Sequence, residues 1–294
     1  MFDPFALTVV DYLCAAPAAG TSDAGALGDA IISGCDAAGV SVAVLSARWP
    51  RHPSPMPAAS GREINSALAE ASARHPGRLY GLASIDPFRG RQAAEELRHA
   101  VEELGLRGAR IDLLRGSLDL SAEAAVPFLE EAGGVGLPIL VDGGPDGGAN
   151  ARALIAMARL GIFERFPALT MVVQARDLRQ SSLHQLFDHH GLRGRIHVCL
   201  SRLDIATVAQ FAATVGPENL VLGSDGIEES QLDLDAAGTA LTAAGLSSLH
   251  RAEILGINAI VLLRGAPPRP AAPALKETRE ERASRAWSLW RGSE

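Results

Sequence analysis

Apolar residues along this chain gather into short runs of four to seven positions: Leu7–Tyr12, Ser41–Leu45, Leu79–Ile85, Gly108–Leu113, Pro138–Val141, Leu169–Val173, Ile196–Leu200 and Leu220–Gly223. The runs are rich in Val, Ile and Leu and mostly continuous rather than alternating, the pattern of strands buried on both faces of a parallel sheet. Stretches with a helical period separate them. Gly61–His75 ends at Pro76-Gly77, Arg91–Leu104 stops at Gly105, Asn150–Leu160 stops at Gly161, and Ile205–Val215 stops at Gly216-Pro217. Ser121–Ala132 has Ser121 in N-cap position, with Ala124 rather than Glu three residues on, and a predicted stop at Gly133-Gly134.

Eight strands alternating with helices over about 260 residues predict an α/β chain folded as a (β/α)8 TIM barrel, an architecture of ~250 residues. A doubly wound open sheet is the alternative, because periodicity does not show whether a sheet closes. The barrel is expected over residues 1–265. After Arg264, four prolines (Pro267, Pro268, Pro270 and Pro273) mark an extended linker. Lys276–Arg291 then reads as a helix with Ala283, Ala286, Trp287 and Trp290 on one face. Residues 266–294 are therefore expected to form a Pro-rich linker and a C-terminal helix, which either docks on its own barrel or joins a second copy into a homo-oligomer.

Composition narrows the partners. With 294 residues and 47% hydrophobic residues the chain can bury a large core. A net charge of −7, scattered basic residues and 4% aromatics argue against a nucleic-acid partner. No apolar run approaches the ~18 residues needed to span a bilayer. Met1-Phe2-Asp3-Pro4 lacks the basic start and apolar stretch of a signal peptide. Cys14, Cys35 and Cys199 are far apart and form no CxxC, so reduced core thiols in a cytoplasmic protein are expected.

Several segments in order resemble the amidohydrolase-related (amidohydrolase 2) family, which includes aminocarboxymuconate-semialdehyde decarboxylase and pyrone-dicarboxylate lactonase. They are Pro76-Gly77-Arg78-Leu79-Tyr80-Gly81 leading into Ile85-Asp86-Pro87, Gly105-Leu106-Arg107-Gly108-Ala109-Arg110, Gly136-Leu137-Pro138-Ile139-Leu140-Val141, Arg165-Phe166-Pro167-Ala168-Leu169, Leu222-Gly223-Ser224-Asp225 and Ile257-Asn258-Ala259. The resemblance spans roughly Leu7 to Leu263 and implies a (β/α)8 barrel. It also implies a metal site that this chain does not reproduce. Leu13 and Ala15 stand where the family's first strand ends in a His-x-His pair, Asp142 where the fifth ends in a ligating histidine, and Ala175 where the sixth ends in a histidine. Only Asp225 matches. Zinc needs several well-matched donors, usually three from the protein, so no metal and no other cofactor is expected. A slip of one or two residues would instead bring Asp11, Cys14 or Asp177 to the site.

The strand ends of such a barrel would present Arg48, Asp86, Arg110, Asp112, Asp142, Gln174, Arg176, Asp177, Arg202 and Asp225 at the mouth. Arginines there can hold a carboxylate bidentately, and aspartates in a partly dry pocket can exchange protons. The expected function is a divergent, metal-independent amidohydrolase-type enzyme acting on a small carboxylate, lactone or polyketide-like metabolite. Asp225 and Asp142 are its acid/base candidates. Arg110, Asp112, Gln174, Arg176, Arg202 and Arg48 are its substrate-binding candidates. The alternative is a barrel without catalysis that serves as a binding or scaffold protein, in which pairs such as Arg110 with Asp142 satisfy each other. His184, His189, His190 and the glycine-rich 143–148 segment read as surface or loop rather than as ligands.

Overall fold

The computed structural model describes residues 9–17, 24–48, 58–112, 120, 122–142, 149–175, 178, 180–188, 192, 194–201, 205–224 and 233–265. Eight strands lie side by side in chain order: β1 (Val10–Pro17), β2 (Val42–Arg48), β3 (Leu79–Ser84), β4 (Ala109–Asp112), β5 (Pro138–Asp142), β6 (Thr170–Gln174), β7 (Ile196–Leu200) and β8 (Leu220–Leu222). Each pairs in parallel with the next, from β1–β2 through β7–β8. At the seam, the Asp11 carboxylate of β1 accepts from the Ser224 backbone N–H just past β8 (2.9 Å). The sheet is thus a nearly closed (β/α)8 barrel, as the pattern predicts.

Helices α1 (Ala24–Ala38), α2 (Ala58–Arg74), α3 (Arg91–Glu102), α4 (Val126–Val135), α5 (Ala149–Arg159), α6 (Ile162–Arg165), α7 (Gln180–Phe187), α8 (Ile205–Val215) and α9 (Leu234–Ala243) fill the connections. A last helical run comprises α10 (Ser248–Ala252), a wider π turn (Glu253–Ile257) and α11 (Asn258–Arg264). None of the described helices is long and apolar enough to cross a membrane.

Two apolar clusters separate along the strands because neighbouring side chains point to opposite faces of the sheet. Ala43, Leu45, Ala83, Ala109, Ile111, Ile139, Val141, Met171, Val173, Val198 and Leu200 pack outward against the helices. Val10, Tyr12, Val42, Val44, Leu82, Leu140, Val172, Cys199 and Val221 fill the barrel interior together with Ala259, Leu262 and Leu263 of α11. Helix α11 therefore stoppers the N-terminal end of the barrel. Asn258 fixes it there by donating from Nδ2 to the carbonyls of Pro217 (2.9 Å) and Leu220 (2.8 Å) at the base of β8. Close approach between strands depends on Gly108: its φ is +131°, and a Cβ would stand 2.2 Å from the Pro138 carbonyl oxygen.

Several boundaries differ from expectation. Strand β1 starts and ends later than Leu7–Tyr12, and its pairing slips between Asp11 and Cys14. That irregularity breaks the continuous apolar run by which a strand is recognised. Gly133 and Gly134 lie inside α4, which runs on to Val135 and stops at Gly136 in the left-handed region (φ +64°). Gly133 serves packing instead, since a Cβ there would come within 2.7 Å of Phe166. Ser121, the expected N-cap, and residues 266–294, with the expected tail helix, lie outside the described residues.

Candidate active site

Toward the C-terminal ends of the strands the interior turns polar. On β2 the inward series Val42, Val44 is followed by Ser46, on β3 Leu82 by Ser84, on β5 Leu140 by Asp142, and on β6 Val172 by Gln174. Register places Arg110 beside Leu140 and Ser84, and Asp112 beside Asp142. The C-terminal face is where barrels of this kind carry their chemistry.

Arg110 anchors the layer. Its side chain is fully buried, one end of the guanidinium donating to Asp142 Oδ2 and the other to Ser46 Oγ (3.0 Å). These contacts join strands β2, β4 and β5 across the interior. Removing two charges from water is costly, and a paired geometry with a further hydroxyl acceptor offsets that cost.

The wall behind this layer is clamped from outside. Asn65, buried on α2, accepts from the Ser84 N–H (2.7 Å) and donates to Glu96 Oε1 on α3 (2.9 Å). Ser84 Oγ in turn reaches the Ala47 carbonyl of β2 (3.5 Å). Just beyond β3, Asp86 accepts from the Phe88 N–H (3.1 Å) and so caps the short turn Pro87–Arg89. Asp86 is thereby accounted for as a cap.

The β6–β7–β1 side of the interior is built differently. Gln174 is fully buried, yet neither its amide oxygen nor its amide nitrogen has a hydrogen-bond partner among the described residues. Its register partner on β7 is Cys199, also fully buried. Tyr12 lies in the same interior cluster, and its hydroxyl likewise has no described partner. Burial, and then the neighbouring Cys199, push the Tyr12 phenol well above its usual range, so it stays protonated.

Arg110, Asp112, Asp142 and Gln174 do converge on the interior. Arg48 ends β2, but its side chain, like those of Leu13, Cys14 and Ala15 in β1, lies outside the described residues. So do Asp225, Arg176, Asp177, Arg202, His189, His190 and the 143–148 segment. His184 is exposed on α7. Ala175 packs with the outer cluster, so the inward group at the end of β6 is Gln174. Asp11 stands on the helix side of the wall, where it helps burial raise the Cys35 thiol to about 11. Sequence reasoning missed Tyr12, Ser46 and Ser84 as interior polar groups, whereas Cys199 is the buried thiol that was expected. The alternation Val-x-Val-x-Ser on β2 was the available signal.

Comparison with known proteins agrees with this architecture. Residues 40–174 match the amidohydrolase family model. No curated protein matches the chain. Among solved structures, the 5-carboxyvanillate decarboxylase of Sphingomonas paucimobilis is similar at 17% identity and TM-score 0.70, over 89% of this chain and 100% of that one. The 2,6-dihydroxybenzoate decarboxylase of Rhizobium gives 18% and 0.70, over 88% and 99%. A dihydroxybenzoic acid decarboxylase of Polaromonas, with bound manganese and the inhibitor 2-nitroresorcinol, gives 16% and 0.72, over 87% and 97%. At these identities the likeness establishes the fold.

The manganese in the last structure raises the question of fit. Among the described residues no three His, Cys, Asp or Glu side chains group to hold an ion. The carboxylates that the described strand ends aim inward are Asp112 and Asp142, and Asp142 already receives the Arg110 guanidinium. A fixed cation at that carboxylate opposes a second one, and two carboxylates fall short of the usual three-ligand set. The described donors do not fit a divalent metal.

Proposed function

We propose that this amidohydrolase-related barrel is a metal-independent enzyme acting on a small carboxylate, lactone or polyketide-like metabolite by hydrolysis, decarboxylation, cyclisation or elimination. The observation that carries the reading is Arg110, a buried inward guanidinium of β4 whose partners include side chains of two other strands, Ser46 of β2 and Asp142 at the end of β5. A substrate carboxylate entering the mouth competes with Asp142 for that guanidinium. As Arg110 turns to the substrate, it releases the Asp142 carboxylate toward the mouth. Asp142 and Asp225 then move protons at the reacting atoms, while Arg176, Arg202, Arg48, Asp112 and Gln174 complete the binding surface.

Similar folds named as decarboxylases of 5-carboxyvanillate and 2,6-dihydroxybenzoate support a carboxylated aromatic substrate. In a decarboxylation the bond to the carboxyl carbon breaks, its electron pair stays on the ring carbon, and a proton from an aspartic acid takes the vacated position.

The test is turnover of a panel of hydroxybenzoates and lactones by the purified protein, before and after chelation. Asp225→Asn should abolish turnover and leave the melting temperature within about 2 °C, a shift below ~1 kcal/mol. Turnover that survives Asp225→Asn sinks the proton-transfer role, and turnover lost on chelation sinks the metal-independent one. A scaffold without catalysis is the second reading. It is favoured by the way Arg110, Asp142 and Ser46 satisfy one another, and silence across the whole panel would select it.

A further inference from the structure

The carboxylate reading takes Gln174 only as part of the binding surface and does not account for the polar atoms on the β6–β7–β1 side of the interior. There, four buried polar atoms stand without a described partner: both ends of the Gln174 amide, the Tyr12 hydroxyl and, one pleat lower on β7, Nδ1 of His197. Buried polar groups are nearly always paired, so each such atom calls for an account. The Gln174 and Tyr12 atoms belong together. Gln174 faces inward from β6, its register partner is Cys199 of β7, and Cys199 lies against Tyr12 of β1 within one interior cluster.

Their chemistry is specific. An amide offers a donor and an acceptor, and a phenol offers one donor and accepts as well. Neither is charged at neutral pH, burial keeping the Tyr12 phenol protonated. Such a set is poorly matched to a second carboxylate and well matched to a neutral hydroxyl or carbonyl, which also both donates and accepts or accepts twice.

We propose that Tyr12 and Gln174 form a specificity subsite that binds a hydroxyl or carbonyl group of the same ligand whose carboxylate is held by Arg110. The proposal rests on the carboxylate reading above and assigns the two residues a binding and positioning role, with no proton transferred. A site built to hydrogen-bond such a group rejects the analogue lacking it, because its own buried groups are then left unpaired.

Two nearly isosteric variants, Tyr12→Phe and Gln174→Met, test this with two readouts. In the absence of any ligand, both should melt at the wild-type temperature or higher, since each removes an unpaired buried polar group. A melting temperature several degrees lower in both would mean the groups are already satisfied, as by an internal water, and would overturn the proposal.

The second readout is calorimetric binding of benzoate and of the three monohydroxybenzoates. At least one isomer should bind wild type on the order of tenfold tighter than benzoate, the worth of one well-made hydrogen bond. That preference should shrink to within about twofold in each variant. Equal affinity for all four probes, or a preference that survives both substitutions, removes the subsite and leaves the carboxylate reading standing. Failure of benzoate itself to bind removes both.

Discussion

Along β5 the inward side chain changes from Leu140 to Asp142, and along β6 from Val172 to Gln174, one pleat apart in each case. The N-terminal half of the interior closes mainly on aliphatic side chains, with the His197 imidazole beside Val172, and on α11, with Ala259, Leu262 and Leu263 completing the packing. The C-terminal half of the same strands is filled with a guanidinium, a carboxylate, hydroxyls and an amide. Both halves are buried, so solvent exposure does not explain the difference. The floor gains its stability from area removed from water and tolerates no special geometry beyond fit. In the mouth half stability rests on partners rather than on area, and the Gln174 amide is buried there without a described one.

The contrast can be broken most directly at Arg110. Replacing it by Met takes the guanidinium away from the buried Asp142 carboxylate, and a loss of about 3–5 kcal/mol is expected in chemical denaturation. The double variant Arg110→Met with Asp142→Leu should recover most of that loss, because an apolar pair restores the floor's rules to the mouth. A single variant within about 1 kcal/mol of wild type would mean that the ion pair is not buried as described.

On the floor side, His197 of β7 pairs in register with Val172 and is held neutral by burial, its pKa lowered to about 4 from the usual 6.5. Between pH 6.5 and 4 the unfolded chain takes up a proton that the folded chain refuses. Stability therefore falls as the solution is acidified through that window, by about 3 kcal/mol when complete. His197→Gln should remove this share of the slope, which denaturation midpoints at pH 7 and pH 4.5 would register. An unchanged slope would show that the imidazole is solvated.

The smallest effect sharpens the comparison from outside. Asn65→Ala takes away the acceptor of the buried Ser84 N–H at the mouth end of β3, at a cost of about 2 kcal/mol. Amide exchange should quicken at Ser84 and leave Val172 and Leu140 on the floor protected; uniform quickening would contradict a local clamp.

How much of this could be read from the sequence follows from range. The strands were legible because each apolar run is local, and seven of the eight appear within a few residues of their predicted places. β1 was shifted because its pairing slips between Asp11 and Cys14, and a slip has no local signature. Gly133-Gly134 looked like a helix stop because a glycine needed for contact with Phe166 is indistinguishable in sequence from one needed for a turn. At the site, Asp142 and Gln174 were found by their place at strand ends, and Arg110 as the charged position within the β4 run. Ser46 and Ser84 were not, because a serine gains meaning only from partners many residues away, such as Arg110 for the one and Asn65 for the other. Tyr12 read as part of an apolar run. Only its inward direction, opposite Cys199, shows its hydroxyl as an interior polar group.

Seating α11 beneath the strands has a consequence for traffic. With Asn258 pinning that stopper to the foot of β8, the described residues close the N-terminal end of the barrel to passage. Whatever small molecule reaches Arg110 has to back out along the path by which it arrived, so a reaction's product and the next molecule in line would contend for the same doorway.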